Sequence, residues 1–320
     1  MNGPVLLKPA FKDYLWGGTK LRAEYGKDCD FDRVAESWEL STHKDGQSIV
    51  ASGEHCGLTL SQYIEKNGDG VLGKKGREFE FFPILVKLID AKQNLSVQVH
   101  PSDEYALKNE GQYGKTEVWY VLSADEGACL YYGFCKDITK EEYRERIKNN
   151  TLIDVLNCVK VKKGDVFFVT PGTVHAIGAG IVICEIQQNS NVTYRVYDYG
   201  RVGADGKTRP LHIDKAIDVS DLKAKPQTSP ETEVKDCGTY SVKPIASCKY
   251  FTSEEISVDK KADFKITDDS FRSITLVDGN CTLKMDECEL ELKKGDTVFI
   301  PAQNADYTVC GKCSFILSYV

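Results

Sequence analysis

Apolar and polar residues alternate at a period of two in the most distinctive stretch of the chain, Leu95-Ser96-Val97-Gln98-Val99-His100-Pro101. Side chains two apart share a strand face, so Leu95, Val97 and Val99 point one way and Ser96, Gln98 and His100 the other. One face belongs to a core and the other is polar. The same period places Lys115, Glu117 and Trp119 on one side of the stretch from Lys115 to Leu122. Short strands rich in β-branched and aromatic residues recur, as in Glu117 to Leu122 and Ser273 to Val277. Helical periodicity is sparse. Thr139 and Glu142 are spaced as a capping box opening a helix that runs to about Leu156, with Tyr143, Ile147, Ile153 and Leu156 on its buried side. Further short helices are expected at Thr59 to Lys66, Asp103 to Glu110 and His212 to Val219.

An internal repeat organises the rest. Val161-Lys162-Lys163-Gly164-Asp165, followed by the apolar run Val166 to Val169 and Pro171, is echoed by Leu292-Lys293-Lys294-Gly295-Asp296, Thr297 to Ile300 and Pro301. Each copy reads as a Gly-Asp turn, a short strand and a proline that ends it. Turn, strand and proline-initiated loop toward a histidine resemble the cupin signature, which implies a double-sheet jelly roll. The fold class expected is mainly β, two cupin-type jelly rolls with a helical insertion in or around the first. Only the first copy continues to a histidine, Pro171-Gly172-Thr173-Val174-His175; no histidine follows His212. The polar, proline-containing stretch from about Leu222 to Glu233 reads as a linker. It divides a metal-binding cupin domain with helical insertions, residues 1–225, from a cupin-like domain without ligands, residues 226–320.

Composition excludes several function classes. The chain has 320 residues, 41% hydrophobic and 28% charged, enough for a sizeable core. A net charge of −7 and the lack of any basic stripe argue against a nucleic-acid partner. The most apolar stretch, Phe81 to Ile89, is interrupted by Pro83 and Lys87, and the N-terminus lacks a basic segment followed by an apolar run, so neither a membrane span nor a secretion signal is expected. Twelve cysteines at irregular spacings in a chain of this size read as reduced thiols in the cytoplasm. Cys310 and Cys313 form a close pair on an expected C-terminal strand and read as two small structural side chains.

Candidate chemistry concentrates in the first half. Gln98, His100, Glu117 and His175 offer a carboxamide, two imidazoles and a carboxylate that strands can converge on one divalent metal. Each has a plainer reading: buried hydrogen-bonded imidazoles, an ion pair of Glu117 with Lys115, an amide of Gln98 behind the ligands. His43, His55 and His212 lie among polar residues and read as surface histidines, while Trp16 and Trp38 suit either a core or a pocket.

Six motifs in order, Trp16-Gly17-Gly18, Ala35-Glu36-Ser37-Trp38-Glu39, Leu95 to Pro101, Lys115-Thr116-Glu117, Pro171 to Ala176 and Asn189 to Asp198, resemble those of the type I phosphomannose isomerases in their short bacterial form. The resemblance runs from about residue 7 to residue 220. It implies one zinc ion per chain on Gln98, His100, Glu117 and His175 and a hexose 6-phosphate substrate, mannose 6-phosphate interconverting with fructose 6-phosphate. It also implies Lys87 and Ser96 near the phosphate, and Lys115, Glu185 and Arg195 around the sugar carbons as catalytic groups. Glu36 and Trp16 match pocket motifs without an assigned step. The large helical domain of the long eukaryotic form is missing, and Ala176-Ile177 replaces its tyrosine-bearing segment.

Such a reaction removes a proton from carbon and must stabilise the enediolate that results. Glu185, Lys115 and a hydroxide carried by the metal all remain open as the base, and Lys87 as a solvent-facing lysine or Glu185–Arg195 as an ion pair within a sheet remain competing readings. Two other classes fit a cupin with these residues: an Fe(II) oxygenase and a sugar-phosphate-binding regulator without turnover.

Overall fold

The structure, a computed structural model, describes residues 3–203, 206–226 and 232–320. It is mainly β, with antiparallel sheets and few helices. The chain folds into two compact units, one comprising Met1–Lys12, Thr19–Leu88 and Glu231–Val320, the other Asp13–Gly18 and Ile89–Pro230. These units interleave along the sequence, whereas the alternation and repeat lead one to expect two consecutive stretches meeting at residue 225. One boundary, at residues 230/231, falls within the expected linker, part of which, residues 227–231, lies outside the described residues.

The interleaving has a physical cause. The strand Thr297–Ile300 is buried along its whole length and has Arg272–Met285 on one side. Its other side carries unpaired backbone groups that must be satisfied, and the N-terminal strand Val5–Lys8 supplies them, with Val5 opposite Phe299. Val5–Lys8 then pairs with Ile49–Val50. The core of this unit includes Ile256, Leu276, Leu283, Val298 and Phe315. Beside it lies a buried ion pair: Lys27 Nζ is 2.6 Å from Glu39 Oε1, which also accepts from Ser37 Oγ at 2.6 Å, while Glu39 Oε2 accepts from Thr297 Oγ1 at 3.0 Å. A buried charge pair is tolerable when its remaining lone pairs are filled in this way.

In the second unit, one sheet runs in the order Tyr194–Tyr197, Val97–Val99, His175–Ala176, Cys129–Phe134, Leu156–Lys160. Another brings Val166–Val169, Glu117–Ala124 and Ile181–Gln188 side by side. The helices Lys140–Lys148 and Ile213–Val219 join the unit's core through Tyr143, Ile147, Ala216 and Ile217.

The repeat is visible as two matching turns. Gly164 and Gly295 both have positive φ, 90° and 98°, and in each turn the following aspartate accepts from the backbone N–H of the first lysine at 2.9 Å, Asp165 from Lys162 and Asp296 from Lys293. A side chain at Gly295 would collide with the Tyr25 carbonyl.

Several local expectations need correction. Thr139 caps its helix by accepting from the Glu142 N–H at 3.1 Å, but the Glu142 carboxylate binds Arg146 and Lys136, so no reciprocal bond forms there. The reciprocal box occurs instead at Thr59 and Gln62. The helix expected to reach Leu156 stops at Lys148, because Asn150 adopts a left-handed φ of 57°; Leu152–Val155 is a separate 3-10 turn and Leu156 begins a strand. The thiols are not all reduced: Cys129 and Cys158 form a disulfide across neighbouring strands, and the other ten cysteines are free. The helix Asp103–Glu110 matches its expected bounds.

Phe299 is fully buried and packs against Tyr63 and Phe271. Phe299→Ala is therefore expected to destabilise the protein by about 3–5 kcal/mol, read from denaturant unfolding; a loss below about 1 kcal/mol would mean that this core is not closely packed.

Candidate metal centre

Strand register builds the site. Across the sheet of the second unit, Arg195 stands opposite Gln98, Gln98 opposite His175 and His175 opposite Tyr132, so these side chains form one row. In the other sheet of that unit, Glu117 stands opposite Gln187 and Trp119 opposite Glu185. The rows meet. His175 Nε2 is 3.3 Å from Glu117 Oε1, His100 Nε2 is 3.6 Å from Glu117 Oε2, and the two imidazole centroids are 4.7 Å apart. The ligating atoms of His100, Glu117 and His175 all lie within 4.8 Å of one another.

Both imidazoles are oriented from behind. His100 Nδ1 is 2.9 Å from the Val192 carbonyl and His175 Nδ1 is 2.8 Å from the Thr173 carbonyl. A carbonyl only accepts, so each Nδ1 carries the hydrogen and each Nε2 presents a lone pair to the centre. Trp119 packs edge-on against His175 at 5.2 Å and donates its Nε1–H to Glu185 Oε2 at 3.0 Å.

Charge in this pocket is concentrated on Glu117 and Lys115. Lys115 Nζ lies 2.7 Å from Glu117 Oε2 and 3.6 Å from Glu185 Oε1, with all three residues buried. Burial pushes the Glu117 carboxyl upward, but Lys115 and then His100 and His175 outweigh it and hold the group well below the usual carboxylate range. Burial, followed by the Lys115 charge, lowers His100 to about 4; burial also lowers His175. Two neutral imidazoles and an ionised carboxylate result, the protonation states a divalent cation requires. His100 Nε2 and both Glu117 oxygens are buried without a well-formed hydrogen bond, Lys115 being close to Glu117 but poorly aligned. Uncompensated buried lone pairs are costly, and a cation among them would satisfy all three. The donor set fits a metal.

Comparison with known proteins places this geometry. Residues 5–130 match the model of the phosphomannose isomerase type I catalytic domain, and residues 242–320 that of the mannose-6-phosphate isomerase cupin domain. The mannose-6-phosphate isomerase ManA of Bacillus subtilis is 38% identical over 320 residues, 99% of each chain. The chain belongs to the type I phosphomannose isomerase family. A mannose-6-phosphate isomerase of Streptococcus mutans is 35% identical, covering 100% of this chain and 99% of its own. The crystal structure of the mannose 6-phosphate isomerase from Bacillus subtilis superposes with a TM-score of 0.92 at 34% identity over 100% of both chains. The cupin fold expected from the Gly-Asp repeat is thus the fold of this isomerase family, and the chain is an aldose-ketose isomerase.

The residues singled out from sequence are divided between the two compact units. Gln98 adjoins the centre, its amide Nε2 3.4 Å from His175 Nε2. Arg195 Nε donates to Ser96 Oγ at 3.3 Å. Lys87 lies in the other compact unit, 3.5 Å from Glu36 Oε2 and over the Trp38 ring at 4.7 Å; it is buried, not solvent-facing. Glu185 bonds Trp119 and neighbours Lys115, whereas the structure gives Arg195 other partners. Trp16 and Trp38 are both buried. Sequence reading missed the roles of Val192, Thr173 and Trp119, the first two because carbonyls leave no mark in a sequence. It also misplaced His43, which is buried, and His212, which is half-buried.

The His100 shift fixes a pH dependence. Its proton is held more weakly in the folded than in the unfolded chain, so between about 4 and 6.5 the unfolded state binds more protons and stability must rise with pH. Denaturant midpoints of the metal-free isomerase are expected to climb across that interval, with a shallower slope in His100→Asn. Equal slopes would mean that His100 is not buried neutral.

Proposed function

We propose that the chain interconverts mannose 6-phosphate and fructose 6-phosphate with one zinc ion held by Gln98, His100, Glu117 and His175. The observation that carries this is the buried convergence of two lone-pair-presenting imidazoles on an ionised carboxylate. Gln98 would contribute its Oε1, which needs the amide turned end for end from its present contact with His175, a rotation that only exchanges its oxygen and nitrogen. When bound, the metal supplies Lewis acidity toward the adjacent sugar oxygens.

The chain's own residues carry the remaining steps. Lys115, Glu185 and Arg195 are the catalytic groups. Lys115 places a cation beside the ligand carboxylate and Glu185. Glu185 has its Oε2 fixed by Trp119, leaving Oε1 on the Lys115 side as the oxygen that would exchange a proton with the sugar carbons. Arg195 presents a planar fork able to spread the charge of the enediolate. Ser96, tethered to Arg195, is assigned to the phosphate. Residues 1–225 would hold this chemistry and residues 226–320 would serve architecture, since the candidate metal cluster among the described residues lies wholly in the former. Ten free cysteines suit a cytoplasmic setting, and no helix among the described residues is long and apolar enough to cross a membrane.

A coupled assay with mannose 6-phosphate tests the reading. The zinc-loaded protein is expected to form fructose 6-phosphate, and His100→Ala/His175→Ala to lose both the metal, about one equivalent per chain, and the activity. Binding of the sugar phosphate without turnover, or stoichiometric zinc in the double variant, would overturn it.

A further inference from the structure

Arg195 and His212 hold each other through their backbones and one ring nitrogen. The Arg195 N–H donates to His212 Nδ1 at 3.1 Å, and the His212 N–H donates to the Arg195 carbonyl at 2.8 Å. A ring nitrogen accepts only when it carries no proton, so this contact requires the neutral imidazole with its hydrogen on Nε2. The guanidinium is tied to the same segment, Nη1 donating to the Pro210 carbonyl at 3.2 Å. The ladder alone does not fix this residue, because the pairing of Tyr194–Tyr197 with Val97–Val99 shifts register between Arg195 and Tyr197. A strand that bulges beside a functional side chain needs a second support to aim it.

We propose that His212 is a positioning residue for Arg195, its unprotonated Nδ1 holding the strand so that the guanidinium keeps its place in the row with Gln98 and His175, and that a proton on Nδ1 releases it. The inference rests on the catalytic role given to Arg195 above. Four ionisable groups face the ring: Arg195 and Tyr194 on the strand, Lys215 on the helix that His212 begins, and Glu110 at the end of the helix Asp103–Glu110. Glu110 accepts from Tyr194 Oη at 2.8 Å and Lys215 Nζ at 2.6 Å, so its charge is largely engaged. Burial, then Arg195 and Lys215, keep His212 below the ordinary histidine range against the weaker pull of Glu110. The ring is therefore neutral near pH 7.

Two variants and one spectrum test this. His212→Ala removes the acceptor, while His212→Asn places an oxygen where Nδ1 stood and cannot titrate. The expectation is a kcat about 10- to 100-fold lower in the alanine variant, with a smaller change in KM and unchanged zinc content, as for a misplaced catalytic group. The asparagine variant should recover most of that loss. Its advantage relative to the wild type should grow as pH falls below the ordinary histidine range, because only the wild type loses its acceptor. Superimposable pH profiles for wild type and His212→Asn, or wild-type kcat in His212→Ala, would overturn the proposal. The ¹⁵N spectrum of the metal-free protein at pH 7.5 gives a readout independent of turnover: the neutral Nε2–H tautomer is expected at His212. An Nδ1–H or doubly protonated ring there would refute the contact even if the isomerase reading stands, and the predicted tautomer in a protein without isomerase activity would place the failure in that reading instead.

Discussion

The ionised carboxylate of Glu117, fully buried, is the constraint on which the second unit depends. An isolated charge in such a position is prohibitively costly, and a carboxylate that cannot find partners takes up a proton instead. Glu117 remains charged chiefly because the Lys115 ammonium lies against one of its oxygens. The same arrangement keeps His100 and His175 neutral, since burial and the nearby lysine disfavour further positive charge. The protonation states of all three groups thus follow from one buried carboxylate and its neighbours.

Holding that group requires two sheets whose registers agree. A slip of one residue in Val97–Val99 would turn Gln98 into the core and Val97 and Val99 toward the polar centre, and a slip in Glu117–Ala124 would bring Val118 to the place of the carboxylate. The apolar faces prevent both, because Val97, Val99 and Val174 are locked into a core shared with Phe134 and Tyr143. Packing energy is what gives the polar face its precision. In the other unit the dependence runs through backbone pairing, where the N-terminal strand completes a sheet begun by the C-terminal part of the chain.

Much of the site was legible in the sequence because its residues sit on strands, where alternation assigns faces without knowledge of the fold. Ser96, Gln98 and His100 share a face for that reason, as do Lys115, Glu117 and Trp119. The Gly-Asp repeat exposed two matching turns because a glycine at positive φ and a side chain bonded back to the backbone are local requirements. What stayed hidden was non-local. Nothing in the stretch Val5–Lys8 tells that it pairs with Thr297–Ile300, so interleaved units could not be read from composition. The Cys129–Cys158 disulfide arises from strand pairing, which irregular cysteine spacing does not reveal. His212 looked like a surface histidine because its partner is a backbone N–H seventeen residues away in sequence.

The family is that of an isomerase and the geometry supplies a buried two-histidine, one-carboxylate cluster, in a chain that also carries ten cysteines outside the disulfide able to compete for zinc. X-ray absorption at the zinc edge, on protein loaded with one equivalent of the metal, tests that claim most directly. The account predicts a shell of nitrogen and oxygen at about 2.0–2.2 Å with the multiple scattering of two imidazoles. A shell at about 2.3 Å from sulfur, or the signature of fewer than two imidazoles, would contradict it.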